Sequence, residues 1–155
     1  WLARHDGLAS GVDVLDLGCG TGVAGISAAV CCRPRRVVLS DMQPLCLALA
    51  RRNARLRQEE PARCPIEVEA VGWCVGDPRP AAQSFGLVLA SDCVHRALEE
   101  VRGFEKWGER FHDGRALARF VELVDWCLAP GGTALVGFGV RNAVDVERVA
   151  AALAE

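Results

Sequence analysis

The sequence predicts an α/β fold with a doubly wound, mostly parallel sheet. Three observations indicate this class: short apolar runs alternate with segments of helical periodicity, glycine or aspartate follows several of the runs, and no repeats or linkers divide the chain. Strands that alternate with helices form βαβ units, whose right-handed crossovers make the strands parallel. The 155 residues, 51% of them apolar, are enough for a single domain over residues 1–155 with a substantial core.

Five strands and four helices are expected. The predicted strands cover residues 12–17, 37–39, 66–70, 85–90 and 133–138. The predicted helices cover residues 22–32, 45–57, 115–128 and 144–154.

Local sequence justifies each element in turn. The first strand is an apolar run that closes on Gly18, and the helix after it is rich in small residues and ends before Pro34. Pro44 suits the first turn of the second helix, whose basic residues face outward. The third strand alternates apolar with acidic residues, the period of a half-exposed strand, and the fourth is an apolar run. The amphipathic third helix is stopped by the Pro-Gly-Gly of residues 130–132, after which come the fifth strand and a last helix.

Charge and cysteine content exclude several kinds of protein. With 18 basic and 20 acidic side chains the net charge is −2, so we expect neither a nucleic acid nor a membrane surface as partner. No apolar run approaches the roughly 20 residues that cross a bilayer. The eight cysteines show no CxxC or Cys–His spacing, which favours buried thiols in a reducing cytoplasm and no metal site. A zinc site or a disulfide framework is the alternative.

Polar or aromatic residues follow four of the predicted strands. Asp16 closes the first strand, Asp41 stands just beyond the second, and Trp73 and Asp92 follow the third and fourth. Ligands of open α/β sheets bind at the carboxyl ends of the strands. These four positions are therefore expected to line one edge of the sheet.

A glycine-rich turn follows the first strand. Residues 20–25 spell GxGxxG, which alone is weak evidence for a dinucleotide site. The match starts two residues late, and the carboxylate of Asp16 would repel a pyrophosphate. A carboxylate there suits a ligand with a cationic amino group, such as S-adenosylmethionine. An NAD-dependent oxidoreductase remains the less favoured alternative, as does a glycine turn without a ligand.

Asp41 stands 19 residues beyond Gly22. A carboxylate at this position can accept hydrogen bonds from both ribose hydroxyls of a nucleoside. Because NAD and S-adenosylmethionine share the ribose, Asp41 supports a nucleoside without choosing between them. The alternative is an aspartate that caps the helix ahead of Pro44.

Three sequence strings resemble the class I seven-strand methyltransferases, which use S-adenosylmethionine as cofactor. They are VLDLGCGTGVAGI at residues 14–26, LSD at 39–41 and LAPGG at 128–132. The resemblance implies a Rossmann-like core, here expected to lack the last two strands and to be a fragment truncated at both ends. It implies cofactor contacts from Asp16, Gly18, Cys19, Gly20, Thr21, Gly22, Asp41, Met42, Trp73 and Ala90.

Three further features resemble family 16, the protein-lysine branch of this superfamily, whose members act on elongation factor 2, calmodulin, valosin-containing protein and chaperones. One of them, the CRPR of residues 32–35 together with Arg141 and Asn142, resembles the elongation factor 2 enzymes in particular. Trp73, within VGWCVGD, fits a family tryptophan that stacks on adenine. Residues 89–95, LASDCVH, fit the family's [D/E]xxY motif, except that His95 stands at the tyrosine position in a chain without any tyrosine.

The lysine branch implies transfer of a methyl group to a lysine side chain of a protein, with a translation factor as one candidate substrate. Asp92 would orient the amine and stabilise its developing charge, while His95 would wall the pocket. We expect a cytoplasmic monomer. The alternatives are a methyltransferase for a small molecule or nucleic acid, and a non-catalytic scaffold that binds S-adenosylmethionine.

Overall fold

A computed structural model describes residues 2–58, 64–73, 76–94, 115–139 and 143–154. Two short 3-10 turns, Leu2–Arg4 and Asp6–Leu8, precede the alternating strands and helices. The strands are β1 Asp13–Leu17, β2 Arg36–Asp41, β3 Ile66–Ala70, β4 Phe85–Ser91 and β5 Leu128–Gly137. The helices are α1 Val23–Cys31, α2 Pro44–Gln58, α3 Ala116–Cys127 and α4 Ala143–Ala154.

The described strands form one parallel sheet in the order β3-β2-β1-β4-β5. This order places β1 at the centre, and all five of its residues are buried. From β1 the chain adds β2 and β3 on one side of the sheet and then crosses to add β4 and β5 on the other. This switch point between β1 and β4 makes a crevice at the carboxyl ends of these two strands. The predicted doubly wound α/β fold is confirmed.

The two faces of the sheet carry separate cores, because successive side chains of a strand point to opposite sides. From β1, Val14 lies in the core beneath α1 and α2, whereas Leu15 and Leu17 lie in the core beneath α3. Asp16 has the same parity as Val14 and is therefore directed toward α1. The alternation of the central strand thus decides which helix meets its buried carboxylate.

The predicted elements are confirmed to within a few residues, with one larger difference. β5 starts at Leu128, five residues before the predicted strand of residues 133–138. Phe85 of β4 pairs with Leu128 and Leu87 pairs with Thr133, so the Pro-Gly-Gly segment bulges out of an already paired strand. The sequence indicates a turn there because proline and glycine disfavour regular strands, whereas bulges accommodate them.

Trp126 falls on the apolar side of the amphipathic third helix, which predicts a core position, but its side chain is 44% exposed. Its indole Nε1 donates a hydrogen bond to the Pro80 carbonyl at 3.0 Å, and the Arg79 guanidinium lies 5.8 Å from its ring centroid. The indole therefore covers the loop before β4 rather than the sheet. Tryptophan often lies at such a boundary between protein and solvent, because its ring is apolar and its N–H is polar.

An ion-pair cluster lies at the amino ends of the central strands, opposite the glycine turn. Asp13 accepts hydrogen bonds from Nε of Arg35 at 2.6 Å and from Nε of Arg36 at 2.8 Å. The hydrogen bond from Arg35 is the main cause of the lowered pKa of Asp13, and Arg36 lowers it further against the effect of burial. Arg36 also reaches Glu67 of the neighbouring strand at 3.2 Å. These charges tie β1 to β2 and β3.

Candidate functional site

The carboxyl ends of the parallel strands bring three aspartates to one edge of the sheet, called here the carboxyl rim: Asp16, Asp41 and Asp92. Asp16 pairs in register with Leu39 of β2 and Leu89 of β4. Asp41 is the last residue of β2, whereas the sequence predicted it two residues beyond the end of the strand. Asp92 directly follows β4, and its N–H donates to the Gly137 carbonyl of β5 at 2.6 Å.

The turn after β1 needs glycine at three positions. Gly18, Gly20 and Gly22 have φ values of +69°, +56° and +84°, a region that other residues rarely adopt. A Cβ on Gly18 would lie 2.6 Å from Cβ of Cys93, and one on Gly22 would lie 2.8 Å from Cδ1 of Leu39. A Cβ on Gly20 would meet no described atom within 4 Å. Gly18 and Gly22 are thus packed against protein, whereas Gly20 faces open space.

Asp16 is buried, with 1% of its surface exposed, and its Oδ2 accepts a hydrogen bond from the Gly25 N–H at 2.8 Å. Burial raises the pKa of Asp16 to about 6; the hydrogen bond from Gly25 opposes this shift and the charge of Asp41 adds to it. A Cβ on Gly25 would lie 3.0 Å from Cβ of Asp16, so glycine allows this close approach. The first turn of α1 therefore holds a carboxyl group whose ionisation is costly without a cation nearby.

Asp41 connects the glycine turn to the end of β2. Its Oδ2 accepts a hydrogen bond from the Gly20 N–H at 3.0 Å, and its Oδ1 accepts one from the Gln43 N–H at 2.8 Å. The second bond spans two residues and orders the approach to α2 as an Asx turn. Because Gln43 precedes the helix, this bond is not the helix cap that the alternative expects. Each carboxylate oxygen has two lone pairs, so both retain capacity for a ligand hydroxyl.

The two residues between the glycines are fixed mainly through their backbones. The Cys19 N–H donates to the Ser40 carbonyl at 2.8 Å, and burial raises the pKa of its half-buried thiol far above the usual range. Thr21 is exposed, and its carbonyl accepts a hydrogen bond from Nδ2 of Asn53 in α2 at 2.9 Å. The turn is therefore braced by β2 on one side and by α2 on the other.

Trp73 follows β3 and is half-buried. Its ring meets Phe120 of α3 edge-on, with centroids 5.4 Å apart and planes at 88°. At the adjoining Gly72, a Cβ would collide with Asp77 and would lie 2.7 Å from Cγ of Met42. Met42, which follows Asp41 directly, thus packs against the same loop that carries Trp73.

The remaining predicted site residues lie at the end of β4. Ala90 is 1% exposed and belongs to the core beneath α3, so its side chain does not face the rim. Asp92 is exposed and has a left-handed φ of +55°, and its Oδ1 lies 4.0 Å from the Cβ position of Gly139. His95 lies outside the described residues.

Three residues that support this site were not predicted from the sequence. Ser40 donates from its Oγ to the Asp16 carbonyl at 3.0 Å, Cys93 packs on Gly18, and Phe120 supports the Trp73 ring. Ser40 carries a weak signal, since it is a hydroxyl in an apolar strand with no exposed surface. Cys93 and Phe120 resemble ordinary core residues, so nothing in the sequence indicates that they support the site.

The described residues contain neither a metal-binding cluster nor a membrane-spanning helix. No group of three or more histidine, cysteine, aspartate or glutamate residues is arranged to hold a metal ion there. Within the same part of the chain, each helix is too short or too polar to cross a bilayer.

The fold matches solved S-adenosylmethionine-dependent methyltransferases. One from Mesorhizobium loti is 23% identical with a TM-score of 0.57, and the match covers 85% of this chain and 49% of that protein. A ribosomal protein L11 methylase from Lactobacillus delbrueckii subsp. bulgaricus is 18% identical with a TM-score of 0.65, covering 99% and 63%. A TehB-like methyltransferase from Corynebacterium glutamicum is 25% identical with a TM-score of 0.58, covering 97% and 70%.

The chain thus has the class I methyltransferase fold and spans about half the length of the Mesorhizobium protein. A family model described as lysine methyltransferase matches residues 3–101, and the chain belongs to that family. The resemblance inferred from the sequence is confirmed at both levels. No curated protein matches the chain.

Proposed function

We propose that this protein is an S-adenosylmethionine-dependent N-methyltransferase that methylates a lysine side chain of a protein substrate. One observation carries the proposal: a left-handed glycine turn is bonded to Asp41 and lies beside the buried Asp16, at the switch point of a parallel sheet. Membership of the lysine methyltransferase family supports the acceptor. A translation factor is one candidate substrate, and we expect the enzyme to act as a cytoplasmic monomer.

The residues at the carboxyl rim fit this cofactor. A ligand that carries both an ammonium and a sulfonium charge suits Asp16, whose buried carboxyl group would ionise more readily beside a cation. Spare lone pairs of Asp41 suit the ribose hydroxyls. Open space at Gly20 lets the ligand approach the backbone, and any side chain at this position would occupy that space. Trp73 offers an aromatic ring for adenine, and its contact with Phe120 helps to hold that ring in place.

Asp92 would act on the substrate amine. S-adenosylmethionine, when bound, supplies a methyl group on a positively charged sulfur that an amine lone pair can attack in line. The carboxylate of Asp92 is exposed at the rim, where it can accept a hydrogen bond from the neutral lysine amine and orient that lone pair. It would also stabilise the positive charge that develops on nitrogen. His95 remains a predicted neighbour of the amine.

Calorimetric titration with S-adenosylmethionine and, separately, with NAD tests the cofactor. We expect heat of binding from the first ligand only, and NAD binding alone would contradict the proposal. Transfer of a labelled methyl group to proteins of a lysate, followed by mapping of the modified side chain, tests the acceptor. Binding without transfer would support the scaffold alternative, and label on a nucleic acid or small molecule would overturn the protein-lysine assignment.

A further inference from the structure

We propose that the exposed side of α2 is a docking surface for an acidic, amphipathic segment of a protein partner. Two leucines of this helix are largely exposed, Leu45 at 71% and Leu56 at 57%. Three exposed arginines and an exposed alanine lie between these leucines in the sequence. The surface, called here the Leu–Arg face, consists of Leu45, Ala48, Arg51, Arg52, Arg55 and Leu56.

The spacing of these residues places them on one side of the helix. Positions three, four and seven apart recur on the same side of an α-helix. The opposite side is formed by Leu47, Ala50 and Ala54, which are buried in the core against the sheet. The Leu–Arg face therefore lies outside the core that the described residues form. Exposed leucines that recur along one helix side mark a contact surface more often than a single exposed leucine does.

The charge of this face indicates an acidic partner. α2 holds four arginines and no acidic residue. Among the described residues, the ion pairs involve Asp13, Glu67 and arginines of β2 and its preceding turn, not Arg51, Arg52 or Arg55. An acidic segment with apolar residues at helical spacing would complement both the charge and the leucines.

The rest of the chain favours a protein segment over an extended anion. The net charge is −2, and because the four arginines of α2 contribute +4, the remainder carries −6. A chain with a net charge of −2 has no long-range attraction for an extended anion such as a membrane surface or a nucleic acid. A short segment can lie along α2 alone. In addition, the phosphate backbone of a nucleic acid has no apolar groups that could pack on the two exposed leucines.

The Leu–Arg face begins close to the carboxyl rim. Pro44, the first residue of α2, follows Asp41 by three positions. Leu45 and Leu56 are eleven residues apart, which in a helix is about 16 Å. A partner lying along α2 would therefore have one end beside the rim. Binding on this face does not depend on the proposed methyl transfer, so each can fail without the other.

Fluorescence anisotropy with a synthetic helical peptide as long as α2 tests the proposal. The probe carries leucines at helical spacing and glutamates elsewhere, and the control peptide has lysine in place of glutamate. We expect binding of the acidic peptide only, and strong weakening at about 1 M salt, where the Debye length is about 3 Å. Equal binding of both peptides, or no binding of the acidic one, would overturn the proposal.

Matched charge reversals locate the contact. Arg52→Glu/Arg55→Glu should weaken peptide binding by at least about tenfold, whereas Arg4→Glu/Arg33→Glu changes the net charge equally at exposed positions off α2 and should have little effect. Leu45→Ser/Leu56→Ser should also weaken binding, with only a small change in the unfolding curve since both side chains are largely exposed. Equal losses in the two arginine pairs would refute a specific surface. Binding of anionic vesicles or single-stranded RNA in place of the peptide would likewise refute a protein partner.

Discussion

The Gly20 N–H donates a hydrogen bond to Oδ2 of Asp41 at 3.0 Å, across 21 residues of sequence. The bond joins the turn after β1 to the end of β2, because these strands are neighbours in the sheet. Since Oδ1 of the same carboxylate holds the Gln43 N–H, Asp41 orders both the glycine turn and the approach to α2. The residue proposed to bind ribose is therefore also a structural anchor of its own site.

Asp41→Asn should weaken binding of S-adenosylhomocysteine by at least about tenfold. The asparagine NH₂ group cannot accept a hydrogen bond, so one of the two backbone N–H groups loses its acceptor, and the bonds that remain are weaker because the side chain is uncharged. Calorimetric titration measures this change. Asp125→Asn, an exposed carboxylate of α3, is the matched control and should bind as the unmodified protein does. Equal affinities of the two variants would contradict the assignment of Asp41.

Alanine at Gly18 and at Gly20 should have different effects. Both residues have positive φ, which costs alanine about 1 kcal/mol, but only at Gly18 does the new Cβ collide with Cys93. We expect Gly18→Ala to lower the free energy of unfolding by a further ~1–3 kcal/mol. Gly20→Ala should mainly weaken cofactor binding. Denaturant unfolding and calorimetry measure the two quantities, and Cys93→Gly should partly restore the stability of Gly18→Ala.

Asp16 should make stability fall as pH rises from about 4 to about 6. Its pKa is raised by burial to about 6, so the folded state binds the proton more tightly than the unfolded chain does. The stabilising contribution is complete below the unfolded pKa and is lost as pH rises through 6, a loss of roughly 3 kcal/mol. Chemical denaturation across this range should show the slope in the ligand-free protein and not in Asp16→Asn. An unchanged slope in the variant would contradict this account.

The same carboxyl group should couple pH to cofactor binding. A cationic ligand favours the ionised form of Asp16, so affinity for S-adenosylmethionine should increase as pH rises through about 6. In Asp16→Asn the affinity should be weaker above pH 6 and should lose this dependence. Titrations in buffers on either side of the pKa measure both effects.

Asp13 should act in the opposite direction at lower pH. Hydrogen bonds from Arg35 and then Arg36 lower its pKa, so its contribution is present above the unfolded value of 3.8 and is lost as pH falls through the folded pKa. Asp13→Asn should reduce the free energy of unfolding at pH 7 by about 1–2 kcal/mol, because the variant breaks the ion pairs beside a buried side chain. It should leave cofactor binding unchanged, since Asp13 lies at the opposite end of β1 from the glycine turn.

Asp92→Asn should separate catalysis from binding. Asparagine tolerates the left-handed φ of +55°, so the fold and the hydrogen bond to Gly137 should persist. The proposed methyl transfer should slow by about 100-fold as the charge near the amine is lost. Affinity for S-adenosylhomocysteine should stay unchanged. Methyl transfer at the rate of the unmodified protein would refute a catalytic function for Asp92.

Local sequence was sufficient to predict four of the five strands to within a few residues. Residues 12–17 and 85–90 are largely apolar runs of strand length, and a glycine or a carboxylate follows each of them within two residues. The three strings that resemble class I methyltransferases predicted that the glycine turn binds S-adenosylmethionine. These signals depend on residue type and short spacing, both of which the sequence displays directly.

The tertiary structure decided which groups meet. Asp16 faces the Gly25 N–H because β1 places it on the α1 side, and Asp41 reaches Gly20 because β2 lies beside β1. The bulge before Thr133 and the exposure of Trp126 likewise depend on pairing and packing between distant segments. The sequence alone therefore determined the fold class, the strand ends and the chemical types at the rim. Their partners, burial and backbone strain were settled only by the order of the strands, which local periodicity does not encode.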